Sequence, residues 1–151
     1  GKRIMYNSIV VPVDLAEMDV SKLAIDKAVA LAAVTSAPLH FVYVRSILPV
    51  TFMEYVPPAF DEEQHAECET KMAALIASLP LSDKSRVTSE IRMGSVYNEV
   101  LAEVEKHKAD LIVIGSHRPA MATYLLGSNA TTIVRHAPCS VMVIRPDASK
   151  K

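Results

Sequence analysis

Beyond Gly1 the chain carries three glycines, Gly94, Gly115 and Gly127, and each stands next to a serine. The run Gly127-Ser128-Asn129 reads as a helix start, where free backbone N–H groups, a hydroxyl and the positive end of the helix dipole together suit a phosphate. The same residues would also serve as an ordinary N-terminal cap, and both readings stand at this point. Gly115-Ser116 closes an apolar run, and Asp14 closes another, so each could face a ligand crevice. Asp14 offers a carboxylate at that crevice, or simply a turn former. Arg118 offers a planar guanidinium fork for phosphate, or a side chain that fills and closes the loop.

Other reactive types are poorly placed. His65 and Cys68 lie three apart, but no further ligand pair is near in sequence and a structural zinc site needs about four ligands. His117 has no paired carboxylate near it and reads as a loop hydrogen-bonding group rather than a general base. Cys139 follows Ala137-Pro138 at the start of an apolar strand, where a small buried hydrophobe is expected. The nucleotide fingerprints G-x-x-x-x-G-K-[ST] and G-x-G-x-x-G are both absent, so a bound nucleotide would need a split loop.

The elements that must carry these residues follow from periodicity. Ser8 to Asp14 is a β-branched apolar run with Pro12 near its end, read as a strand buried on both faces. Val20, Ala24, Ala28 and Leu31 recur at helical spacing up to Ser36. Leu39 to Val44 is a second strand, and Arg45 to Phe60, with three prolines, is a long connection. A helix starts at Asp61 and is closed by Pro80, and Val87 to Met93 alternates polar and apolar as an edge strand would. Ser95 is placed to cap a helix running to His107-Lys108. Asp110 to Ile114 is the fourth strand, Gly127 to His136 the last helix and Ser140 to Arg145 the last strand. This βαβαβαβαβ order predicts one domain with a parallel sheet covered on both faces. In such a sheet the ligand crevice lies beyond the strands' carboxyl ends at the switch point of strand order, which selects Asp14, Val44-Arg45, Met93-Gly94 and Gly115-Ser116.

Composition sets the outer limits. The chain has 151 residues, 50% hydrophobic and 22% charged, enough for one domain with its own core. Sixteen Lys and Arg against seventeen Asp and Glu leave no basic footprint for nucleic acid. No apolar stretch approaches the ~18 residues of a membrane span, so no membrane partner is expected. Two distant cysteines without CxxC spacing fit a reducing compartment, and a cytoplasmic location is the expectation. Gly1 to Ile4, ahead of Met5, is set aside as a remnant foreign to the domain, and residues 147–151 as a polar tail. A phosphorylated receiver domain would need a phosphoacceptor Asp after the third strand, where Arg92-Met93 stands instead. A flavodoxin would want a hydroxyl-rich first loop, but the chain has Leu15-Ala16-Glu17-Met18.

Several segments carry a family resemblance. Gly115-Ser116-His117-Arg118, then Leu125-Leu126-Gly127-Ser128, then Val134 to Arg145 resemble the C-terminal signature of the universal stress protein family, and Ile9 to Asp14 resembles its first strand. The resemblance spans essentially the whole chain, 5–146, and is closest to the F and G subgroup. It implies a five-stranded parallel sheet with helices on both faces, a Rossmann-like sandwich of the adenine nucleotide alpha hydrolase type. It further implies an ATP-binding stress-response sensor or regulator with at most slow hydrolysis, dimeric through its last strand, with a tetramer compatible. Carried over, Pro12, Val13 and Asp14 would lie near the ribose and a Mg²⁺ ion, and Val44 would meet adenine through its backbone. Gly115, Ser116, His117 and Arg118 would form the loop under ribose and phosphate, and Gly127, Ser128 and Asn129 the phosphate cradle. The ATP-binding pattern G-x2-G-x9-G-(S/T) is broken here: Arg118 replaces its second glycine, and eight residues rather than nine separate it from Gly127. An oligomeric interaction module that has lost the nucleotide site is therefore the alternative reading.

Overall fold

The apolar β-branched runs become the middle of a sheet because their side chains bury on both faces at once. In a computed structural model that describes residues 5–47, 54–116 and 127–146, the strands are β1 (Ile9–Pro12), β2 (Leu39–Arg45), β3 (Val87–Met93), β4 (Leu111–Gly115) and β5 (Ser140–Ile144). The helices are α1 (Met18–Thr35), α2 (Phe60–Ser78), α3 (Val96–His107) and α4 (Ser128–His136). All pairings are parallel and the strand order is β3-β2-β1-β4-β5. The strand expected at an edge, β3, is there, and β5 forms the opposite edge.

Alternate residues of each strand feed two cores. Ile9, Val11, Leu39, Phe41, Leu111 and Val113 pack under α1 and α2. Val10, Val42, Val44, Ile112 and Ile114 face the other way, under α3 and α4. Sheet residues Ile9, Val10, Val11, Phe41, Ile112 and Val113 are fully buried. At about 25 cal/mol per Å² of apolar surface, such side chains each contribute roughly 1.5–3 kcal/mol.

Local chemistry sets the boundaries. Pro12 has no N–H to extend the ladder, so β1 stops there, although Val13 N–H still donates to Val42 C=O at 2.9 Å. Gly94 turns β3 toward α3 at φ +141°, a backbone conformation that a side chain would strain. Ser95 sits at the expected cap position of α3 in an extended conformation, but its hydroxyl makes no capping hydrogen bond. Residues 1–4 and 147–151, and 48–53 of the long connection, lie outside the described residues.

Candidate functional site

Strand lengths open a slot at the switch point. By register Pro12, the last residue of β1, lies opposite Val42, so β2 runs three residues further, to Arg45. On the other side β4 continues to Gly115. The resulting cleft, of about 400 Å³, is lined by Pro12, Val13 and Asp14 from β1 and its turn, and by Val44 from β2. Gly115 from β4 and Asn129 from α4 also line it.

Each residue is held by its local structure. Asp14 Oδ1 accepts from the N–H of Ala16 at 2.9 Å and of Glu17 at 3.3 Å, so this oxygen shapes the turn into α1. Asp14 N–H in turn donates to Ser21 Oγ at 2.8 Å, fixing the half-buried residue against the cleft. A cation at this position would fall to the other carboxylate oxygen, Oδ2. Arg45 C=O accepts from Gly94 N–H, on the β3 side, whereas Val42 C=O accepts from Val13 on the β1 side. With a strand's period of two, the Val44 peptide groups turn to the β1 side, beyond the point where β1 has ended.

The two halves of the expected loop close on one another. Ser116 N–H donates to Ile144 C=O at 3.1 Å, and Ser116 C=O accepts from Gly127 N–H at 3.0 Å. The chain thus leaves β4 and re-enters α4 at adjoining points, with Ser116 buried and Gly127, Ser128 and Asn129 exposed. The first intrahelical bond of α4 runs from Thr131 N–H to Gly127 C=O, so the N–H groups of Ser128, Asn129 and Ala130 have no partner within the helix. Gly127 has no side chain to cap them, and no acidic residue occupies the first turn. Among the described residues a Cβ on Gly127 would meet Ser116 C=O alone, at an ordinary 3.6 Å, and its φ of −61° carries no backbone strain. His117 and Arg118 lie outside the described residues.

Other lining residues, Tyr43, Val96 and Val100, were not singled out by sequence, because residues at core spacing carry no mark of a cleft. Burial and the Asp14 charge push the Tyr43 hydroxyl above its ordinary pKa. Cys139 is likewise pushed up, by burial and then by Asp110, which leaves a protonated thiol rather than a nucleophile.

A second polar constellation, missed by sequence, lies between β2, β3 and α3. His40 Nε2 and Glu103 Oε1 are 2.6 Å apart, and His40 Nδ1 is 2.6 Å from Thr88 Oγ1. Arg92 donates through Nη1 to Glu103 Oε2 at 2.8 Å and through Nε to Glu99 Oε1 at 2.7 Å. His107 stacks on His40 with ring centroids 3.7 Å apart. Glu103 is 0% exposed. Burial pushes its carboxyl up, but the hydrogen bond and charge of His40 and the charge of Arg92 outweigh this and hold it below the ordinary value. Burial lowers the His40 pKa, against the pull of Glu103. The available signals were a histidine inside an apolar strand and the Glu103/His107 spacing of four.

Fold and cleft define a single-domain parallel α/β protein with a cleft at the switch point of strand order. The chain belongs to the universal stress protein family, whose description matches residues 5–145. It is 34% identical over 147 residues to Universal stress protein G of Escherichia coli O157:H7, covering 93% of this chain and 100% of that one, which supports the F/G subgroup. Among solved structures it resembles the universal stress protein UspA of Lactobacillus plantarum, with 27% identity, TM-score 0.75, and 95% and 100% of the two chains covered. It shares its fold with a universal stress protein solved in complex with cAMP, with 20% identity, TM-score 0.63, and 93% and 97% covered. No helix among the described residues is long and apolar enough to cross a membrane.

Proposed function

We propose that this chain binds ATP in the cleft at the ends of β1 and β4 and acts as a cytoplasmic, oligomeric stress-response sensor or regulator. The observation that carries the reading is the meeting of an apolar slot with a helix start whose N–H groups lack intrahelical partners. In it the Val44 peptide reads the base, Pro12, Val13 and Gly115 enclose the ribose, and Gly127, Ser128 and Asn129 receive the phosphates. Ser116 braces the helix start through Gly127, and His117 and Arg118 complete the loop. The cAMP complex of a structural relative supports a nucleotide as the ligand. Hydrolysis is at most slow, because phosphoryl transfer needs metal ligands, a charge-stabilising cation and an oriented water. One half-buried carboxylate, Asp14, faces the cleft to serve a Mg²⁺ ion.

Equilibrium binding tests the reading. The purified protein binds ATP by calorimetry, and Asp14→Ala reduces the Mg²⁺ dependence of binding more than binding in its absence. Absence of ATP affinity, and of nucleotide in the heat-denatured supernatant, would favour the interaction module without a nucleotide site.

Among the described residues β5 ends the sheet, and its outer edge supplies the oligomer contact. Because Ser116 bonds to Ile144 C=O, the peptide groups of Met142 and Ile144 face β4, and those of Val141 and Val143 face outward. Such an edge invites an antiparallel strand from a second copy. Val143→Pro therefore removes an outward N–H without cutting the bond to β4, and is expected to give folded monomers on a sizing column. A native protein that elutes as a monomer at micromolar concentration, or a folded variant that stays dimeric, rules this contact out.

A further inference from the structure

We propose that His40, Glu103 and His107 form a binding site for a divalent transition-metal cation of the zinc class, distinct from the nucleotide cleft. His40 Nε2 and His107 Nε2 approach the same carboxylate oxygen, Glu103 Oε1, at 2.6 and 3.7 Å. Two ligand atoms bonded at ~2.0–2.1 Å to one tetrahedral ion stand roughly 3.3 Å apart, a value these separations bracket. Two imidazoles with one carboxylate are a donor set suited to zinc and its neighbours, with a fourth position left for water.

The surroundings hold the donors as a metal site requires. Thr88 Oγ1 meets the far nitrogen of His40, and Arg92 Nη1 holds the far oxygen of Glu103, so each buried ligand is oriented from behind. Arg92 does not bar a cation, since Glu99 bonds it from the other side. The charged groups around the cluster, Glu90 and Arg92 on β3 and Glu99, Glu103 and Lys106 on α3, comprise three carboxylates against two cations. The site also lies in the last turn of α3, at the negative end of its dipole. Without metal, a proton on Nε2 can satisfy Glu103. With metal that proton sits on Nδ1 and is donated to Thr88 Oγ1, whose hydroxyl serves as donor or acceptor, so His40 exchanges tautomers without net proton release. His107, the partly exposed member, gives the way in.

Titration of chelator-treated protein with Co²⁺ and Zn²⁺ at neutral pH tests this. Expected are one equivalent of Co²⁺ with the strong visible absorption of a four-coordinate site, its displacement by Zn²⁺, and a melting temperature that rises with metal. His107→Ala, at a helix end outside both cores, should fold and lose at least tenfold in affinity. His65→Ala, whose ring meets Glu69 on the surface of α2, should bind as before. Absence of one-equivalent binding, or binding that survives His107→Ala, would leave the cluster a hydrogen-bonded network only and overturn the proposal.

Discussion

Glu103→Ala is expected to lower the unfolding free energy by about 2–4 kcal/mol, because it leaves the buried His40 Nε2 without its partner beside a void in the second core, while Arg92 keeps its bond to Glu99. A cluster of this kind is costly to break and weakly stabilising when whole, since desolvation of the charges offsets their attraction. The loss therefore belongs mainly to the His40 side, where both partners are nearly inaccessible. Arg92, about a third exposed, recovers part of its cost from water. Replacing His40, Arg92 and Glu103 together by leucine should restore much of the lost stability, and urea unfolding at neutral pH measures both variants. A Glu103→Ala cost below about 1 kcal/mol would show that the network contributes packing and little else.

The same cluster sets a pH response. The folded-state pKa of His40 is lowered from 6.5, so the unfolded chain takes up its proton first as pH falls. That contribution to stability is complete above about 6.5 and is lost as pH drops toward the folded value. Glu103, lowered from 4.5, acts with the same sign in a lower window. Acidification thus destabilises in two stages, and His40→Asn should remove the first.

Much of this molecule is legible because its strands are short and its glycines few. The apolar runs at Ile9 and Leu111 could only be central strands, and the polar alternation of Val87 to Met93 needs a solvent-facing edge. The switch point then follows from connection rules, which bring Asp14, Val44 and Gly115 to one cleft; Pro12, Val13 and Asn129 join them there, as the family resemblance implies, whereas Arg45 and Met93 line a different cavity. Glu103 was illegible for a physical reason. Helical periodicity sorts residues by polarity, so a glutamate beside Val104 reads as the wet side of α3 until its partners, 63 and 11 residues away in sequence, are brought to it. Asp14 shows the converse. Its turn-forming and cleft-facing readings are both realised, because one oxygen shapes the turn while the residue lines the slot.

The largest expected effect on binding comes from the start of α4. Replacing Gly127 and Ser128 together by leucine should lower ATP affinity by about a hundredfold while the far-ultraviolet circular dichroism stays native. Charge-assisted bonds from backbone N–H groups contribute roughly 1.5–3 kcal/mol each, so blocking one or two accounts for a loss of that order. The fold should tolerate the change, because Gly127 has φ −61° and, among the described residues, a Cβ there meets Ser116 C=O alone at 3.6 Å. Nothing among the described residues requires glycine there, and a Leu side chain would project where a phosphate must approach. Ser128 offers the milder control, since Ser128→Ala keeps every backbone donor and should cost at most about tenfold. If the double variant binds ATP like the native protein, the phosphates do not lie on α4, and the cleft must be entered from the β2 side instead.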